Sequence, residues 1–109
     1  MEILFTDKKL LALAHDEKKC IKKLGAERAK KFLRRLDDLK NAENLSVVMT
    51  LPGRYHQLKE NRRNQWACDL DHPYRLIFQP VISEDIKELD QYNLKQITQI
   101  EIIEIADYH

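Results

Sequence analysis

Residues 53–78 constrain this chain more than any other stretch. They read Gly-Arg-Tyr-His-Gln-Leu-Lys-Glu-Asn-Arg-Arg-Asn-Gln-Trp-Ala-Cys-Asp-Leu-Asp-His-Pro-Tyr-Arg-Leu-Ile-Phe. Three short runs of strand character, Arg54–Lys59, Gln65–Leu70 and Tyr74–Gln79, are separated by Glu60–Asn64 and by Asp71-His72-Pro73. Both separators are rich in the Asn, Asp and Pro that form turns. Connections this short join antiparallel neighbours, because a parallel crossover needs about a dozen residues or more. The stretch is therefore predicted to be an antiparallel meander. It is unusually polar for a plain core sheet, with Arg54, His56, Lys59, Arg62, Arg63 and Arg75 near the predicted strand ends. A groove of imidazole and guanidinium groups with few acids suits a phosphodiester backbone.

The rest of the chain supplies the partners of that meander. Glu2–Phe5 is short and apolar and reads as an edge strand, and Thr6 or Asp7 can cap the helix that follows. From Asp7 to Leu24 the apolar positions Leu10, Ala14, Ile21 and Leu24 recur at helical spacing, with a break near His15–Glu17 where Asp16 can restart the helix. Gly25 suits the residue just past a helix end, free to take positive φ. Ala26 to about Asn41 is the clearest helix: Ala26, Ala29, Phe32, Leu33, Leu36 and Leu39 share one face, and Arg28, Lys30, Lys31, Arg34 and Arg35 share the other. The two helical segments should form an antiparallel pair over the sheet. Asn44 can cap a single helical turn before Pro52-Gly53 starts the meander. Residues 80–95 lack a clean period and read as a long acidic connection. In the last strand, about Ile97–Ala106, the alternation changes phase: Ile100 and Ile102 share one face and Ile103 and Ile105 the other. Either a bulge lies there or the strand is covered on both faces.

These elements define an α+β class, two N-terminal helices on a small, mainly antiparallel sheet of four or five strands. At 109 residues a single domain over 1–109 is expected. No apolar run is long enough to span a membrane, and no secretory leader is visible, so a cytoplasmic setting is expected. Cys20 and Cys68 are far apart and form no CxxC pair, which predicts two buried reduced thiols and no metal site. The net charge of +1 hides an asymmetry. Residues 1–40 carry 12 Lys/Arg against 7 Asp/Glu, whereas residues 81–109 carry 2 against 7. A near-neutral total is compatible with a nucleic-acid interface, because the patch matters more than the sum.

The pieces His56-Gln57-Leu58-Lys59, Asn61-Arg62, Gln65-Trp66, Tyr74-Arg75-Leu76-Ile77-Phe78 and Asp107-Tyr108-His109, in this order and with the last at the end of the sequence, resemble the RelE/ParE toxin superfamily of type II toxin–antitoxin systems. Within it the HigB-like toxins, also called plasmid-maintenance killer proteins, are the nearest likeness. The resemblance covers almost the whole chain. Two positions depart from the family pattern: Glu60 and Asn64 stand where glycine is usual. Asn tolerates the left-handed region and Glu does so poorly. The acidic stretch Ser83–Asp90 is also longer than the family's usual link.

The resemblance implies a ribosome-dependent endoribonuclease that cleaves mRNA with the RNA 2′-hydroxyl as nucleophile, and hence neither metal nor other cofactor. It implies His56, Asp107, Tyr108 and His109 as the acid–base set and Lys59, Arg62 and Arg75 as phosphate contacts. Histidine suits such work because its ordinary pKa is about 6.5. The implied partners are mRNA, the ribosome and a cognate helix-turn-helix antitoxin of the HigA type, with a toxin–antitoxin heterotetramer as one assembly. Other roles stay open for the same residues. His56 fits a hydrogen-bonded core histidine and Tyr108 a packing residue. Arg75 fits an ion pair with Asp69 or Asp107. Trp66 fits core packing better than base stacking. The basic face of Arg28–Arg35 fits solvation, ribosomal RNA or an acidic antitoxin segment. Two other functions compete: a ParE-like poison of DNA gyrase without nuclease chemistry, and a degenerate toxin that only binds its antitoxin.

Overall fold

The structure, a computed structural model, describes residues 1–59, 62, 64–82 and 93–107. The connection over Ser83–Asp90 and most of the Glu60–Asn64 turn lie outside these residues. The element order is β1 (Glu2–Phe5), α1 (Lys8–Ala14), α2 (Glu17–Leu24), α3 (Ala26–Asn41), α4 (Leu45–Val48), β2 (His56–Gln57), β3 (Trp66–Asp69), β4 (Tyr74–Pro80) and β5 (Gln99–Asp107), with a 3₁₀ turn at Asn93–Gln96. Helix starts follow the side-chain caps. The carboxylates of Asp7 and Asp16 accept from the backbone N–H of Lys9 and Lys19, and the Asn44 side chain accepts from Val47. Each satisfies a donor that the first helical turn leaves without a partner. The break at His15-Asp16 is therefore a genuine restart, and Gly25 (φ 88°) turns the chain from α2 straight into α3.

Among the described residues the strands form one sheet in the order β1-β5-β4-β3-β2. β1 joins β5 in parallel, and the other three pairings are antiparallel. The predicted meander is β2-β3-β4. β5 lies inside the sheet between β1 and β4, and its phase change is a bulge. Ile77 pairs with Glu104 and Phe78 with Ile102, so Ile103 has no opposite number. The extra residue returns Ile105 to the side that carries Ile100 and Ile102, where it packs on the core.

The helices cover one face of the sheet. Phe32, Leu36 and Leu39 of α3 meet Trp66, Cys68, Leu76, Phe78, Ile100 and Ile102 in a single core cluster. Trp66 is 2% exposed and stacks on Phe78 at 6.4 Å, which makes it a packing residue. Burial pushes the Cys68 thiol up to about 12 and also raises the Cys20 thiol.

Two details of the helical pattern differ from expectation. Cys20 is fully buried and Ile21 is exposed, because α2 restarts at Asp16 and its register is not that of a continuous helix from Asp7. The basic face of α3 is also not uniformly solvated. Arg28 forms two hydrogen bonds to the Asp71 carboxylate, at 3.0 and 3.2 Å, and lies 3.4 Å above the Tyr74 ring. Arg35 donates to the backbone oxygens of Asp69 at 2.8 Å and Pro52 at 3.4 Å. Both arginines fasten α3 to the turns of the meander, a contact that helical periodicity cannot express.

Candidate nucleic-acid face of the sheet

The sheet face turned away from the helices carries the candidate site. Alternation along each strand sends every second residue to this side. Pairing then lines up His56, Ala67, Ile77 and Glu104 in one row and Asp69, Arg75 and Ala106 in a second row, one strand repeat away. Ala67 and Ile77 are fully buried although they lie outside the main core. Arg62 reaches over this region. Its guanidinium donates to Gln65 Oε1 at 3.0 Å and to Glu104 Oε1 at 3.2 Å, which carries it from the β2–β3 hairpin to β5.

His56 sits at the start of β2, half-buried, with Nδ1 2.7 Å from the carbonyl oxygen of Arg54. A carbonyl only accepts, so Nδ1 carries the proton. In the neutral ring Nε2 then holds the lone pair. The backbone responsible is unusual. Gly53 and Arg54 both take positive φ, 122° and 53°. The next residue, Tyr55, is buried against Phe78. The turn is tied back to β3 by Asp69 N–H donating to the Gly53 oxygen at 2.8 Å. Gly53 is required for packing as well as conformation, because a Cβ there would lie 2.8 Å from Nε of Arg35.

Arg75 extends from the second row with Nε 3.6 Å from Oδ1 of Asp69, and Arg54 places Nε 3.2 Å from Oδ2 of the same carboxylate. Of the two partners open for Arg75 in sequence, Asp69 forms this ion pair. Lys59 is exposed just beyond β2, where Leu58 N–H donates to the Gln65 oxygen and closes the hairpin. Asn64 takes φ 73°, the left-handed conformation that asparagine tolerates. His56, Arg62 and Arg75 thus share one sheet face, with Lys59 at its rim.

Asp107 is placed differently. It pairs with Tyr74 at the end of β5. By alternation it points to the side opposite Arg75 and His56. Tyr108 and His109, the other expected acid–base residues, lie outside the described residues. Arg54, Asp69 and Glu104 belong to this face and were absent from the expected site. Arg54 could have been found as one of the basic residues of the meander. Asp69 was open in sequence as a partner of Arg75, whereas Glu104 shows no sequence signal, since only strand pairing sets it beside Arg62.

Among the described residues the architecture is α+β: one mixed five-stranded sheet with helices on one face and arginines on the other. The sequence matches no family profile and no curated protein. The likeness lies in solved structures. A YoeB/ParE toxin from Agrobacterium tumefaciens superposes with a TM-score of 0.60 at 13% identity, over 100% of both chains. A chain of the YoeB–YefM complex from Staphylococcus aureus superposes with a TM-score of 0.58 at 16% identity, over 100% of this chain and 97% of that one. The fold is therefore the one seen in these two toxin structures. No described helix is long and apolar enough to cross a membrane.

Proposed function

We propose that this protein is the toxin of a type II toxin–antitoxin pair, of HigB-like kind, and that it cleaves mRNA on the ribosome by acid–base chemistry. The observation that carries the reading is His56, its Nδ1 proton committed to the Arg54 carbonyl, on a face that also presents Arg54, Arg62 and Arg75. Nε2 is then suited to take the proton of a ribose 2′-hydroxyl. The 2′-oxygen attacks the adjacent phosphorus as the bond from phosphorus to O5′ breaks, leaving a 2′,3′-cyclic phosphate. The departing O5′ takes a proton for which Tyr108 and His109 are the candidate donors; Asp107, on the side of β5 opposite His56, takes no part in this step. Arg62 and Lys59 offset the charge that grows on the phosphate oxygens, the role in which a positioned donor contributes most, and Arg75 is a phosphate contact on the same face.

A helix-turn-helix antitoxin of the HigA type is the proposed partner, in a toxin–antitoxin heterotetramer. The YoeB–YefM complex among the similar structures supports a partner of this kind. The test is induction of the chain alone in bacteria, followed by primer extension on translated messages. Cleavage within reading frames, lost in His56→Gln and in a chain shortened by His109, is the expected result. Intact messages together with gyrase-linked DNA breaks move the assignment to a ParE-like gyrase poison. Intact messages and intact DNA reduce the chain to an antitoxin-binding protein.

A further inference from the structure

We infer that Arg54 and Arg75 form a second phosphate subsite, beside the one served by His56, and that the Asp69 carboxylate occupies it in the free protein. The inference rests on the nuclease reading above and adds to it the place of the neighbouring nucleotide. Each Asp69 oxygen faces one guanidinium, Oδ2 toward Arg54 at 3.2 Å and Oδ1 toward Arg75 at 3.6 Å. Two oxygens on one centre, each met by a guanidinium, is also how a phosphodiester presents its non-bridging oxygens to an arginine pair. The carboxylate is thus an internal stand-in for RNA phosphate.

Three further observations support the assignment. The Asp69 backbone is held at both ends, its N–H by the Gly53 oxygen and its own oxygen by Arg35, each at 2.8 Å. The carboxylate is thereby set at a fixed height on the face. The arginines are unequally anchored: the Arg54 side chain is 70% exposed and that of Arg75 26%. Arg54 can swing from Asp69 to an incoming phosphate at little cost, since an exposed pair contributes little. The row of Asp69 and Arg75 is also one strand repeat from the row of His56, roughly 6.6 Å, of the order of one nucleotide step along a single strand. A small cleft lined by Arg54, Asp69, His72, Tyr74 and Arg75 opens at this point. A strand cut beside His56 therefore lays its next phosphate over Asp69. The same carboxylate discourages anions from binding until a second phosphate engages the His56 row.

The probe is a twelve-nucleotide RNA with 2′-O-methyl riboses, which cannot be cut. It is titrated into the isotopically labelled protein while the arginine Nε–Hε signals and the Asp69 carboxyl carbon are followed. The expected result is movement of Arg54, Arg75 and Asp69 together. Asp69→Asn should bind several-fold more tightly. Arg54→Gly, which suits the positive φ and keeps the carbonyl that holds His56, should bind several-fold more weakly. Its salt dependence should fall by about 0.7 in the slope of log affinity against log salt, the share of one phosphate contact on a single strand. Three outcomes overturn the subsite: signals that move at Arg62 but not at Arg54, an Arg54→Gly protein with unchanged affinity and salt slope, or no response of Arg54 to the RNA at any concentration. The nuclease reading fails separately, if programmed ribosomes keep intact messages while Arg54 and Arg75 respond to the probe.

Discussion

Gly53→Ala is the substitution through which the architecture of the site can be tested most directly. The alanine Cβ would sit 2.8 Å from Nε and 2.9 Å from Cζ of Arg35, closer than carbon and nitrogen approach without displacement. Arg35 could withdraw only by giving up its 2.8 Å bond to the Asp69 oxygen and its 3.4 Å contact with the Pro52 oxygen. A half-exposed hydrogen bond from a charged donor is worth about 1–2 kcal/mol net. The φ of 122° adds conformational strain of about 1–3 kcal/mol for any residue with a Cβ. The expected loss is therefore about 2–5 kcal/mol, or a fall in Tm on the order of 10–20 °C for a chain of this size. Urea unfolding of wild type, Gly53→Ala, Arg35→Ala and the double variant measures it, with an unchanged m-value as the sign of a native-state effect. With Arg35 shortened the clash disappears and only the strain remains, so the two substitutions should couple by about 1 kcal/mol or more. A Gly53→Ala protein within about 0.5 kcal/mol of wild type would refute the reasoning, as would an equal cost in both backgrounds. RNA cleavage should fall with stability, because the same turn carries Arg54 and aims its carbonyl at His56.

Three other outcomes follow from the same geometry. Arg28→Ala should cost about 1.5–3 kcal/mol in urea unfolding, because it removes a two-pronged bond to Asp71 and a contact over Tyr74, whereas exposed Lys30→Ala should cost almost nothing. Arg28→Lys should recover little of the loss, since an ammonium lacks the planar fork. Arg75→Ala should lower mRNA cleavage by about 10-fold or more while the chain still folds, because it removes a charged contact to the RNA phosphate; a loss equal to that of Lys30→Ala would remove Arg75 from the site. The fold keeps the Cys68 thiol and Tyr55 phenol neutral by burial, so their contribution to stability is complete below about pH 9 and is lost as pH rises toward 12. Urea midpoints between pH 8 and 11 should fall more steeply in wild type than in Cys68→Ala, by up to about 1.4 kcal/mol per pH unit; parallel slopes would contradict this.

Local features of the sequence determined a good deal of this protein. Alternation and turn residues in 53–78 specified the β2-β3-β4 meander, and Asp16 and Gly25 marked the restart and the end of α2. The 3.6-residue period marked the apolar face of α3. These features act within a few residues, through capping, φ preference and side-chain period, so they can be read without the fold. The order of the motifs led to a resemblance whose fold two solved toxin structures share with this chain. Other properties depended on contacts between distant segments. The phase change at Ile103 had two local explanations, and only the pairing of β5 with β4 chose the bulge. Arg28 and Arg35 belong to a basic helical face until the meander's turns bring Asp71 and the Asp69 carbonyl beneath them. Glu104 is an ordinary acid in sequence, and Asp69 is only one of two partners open to Arg75. Sheet register puts them on the arginines of the open face and sends Asp107 to the Tyr74 row. A side chain's period says which way it points, but its electrostatic partner comes from whichever strand the fold lays beside it.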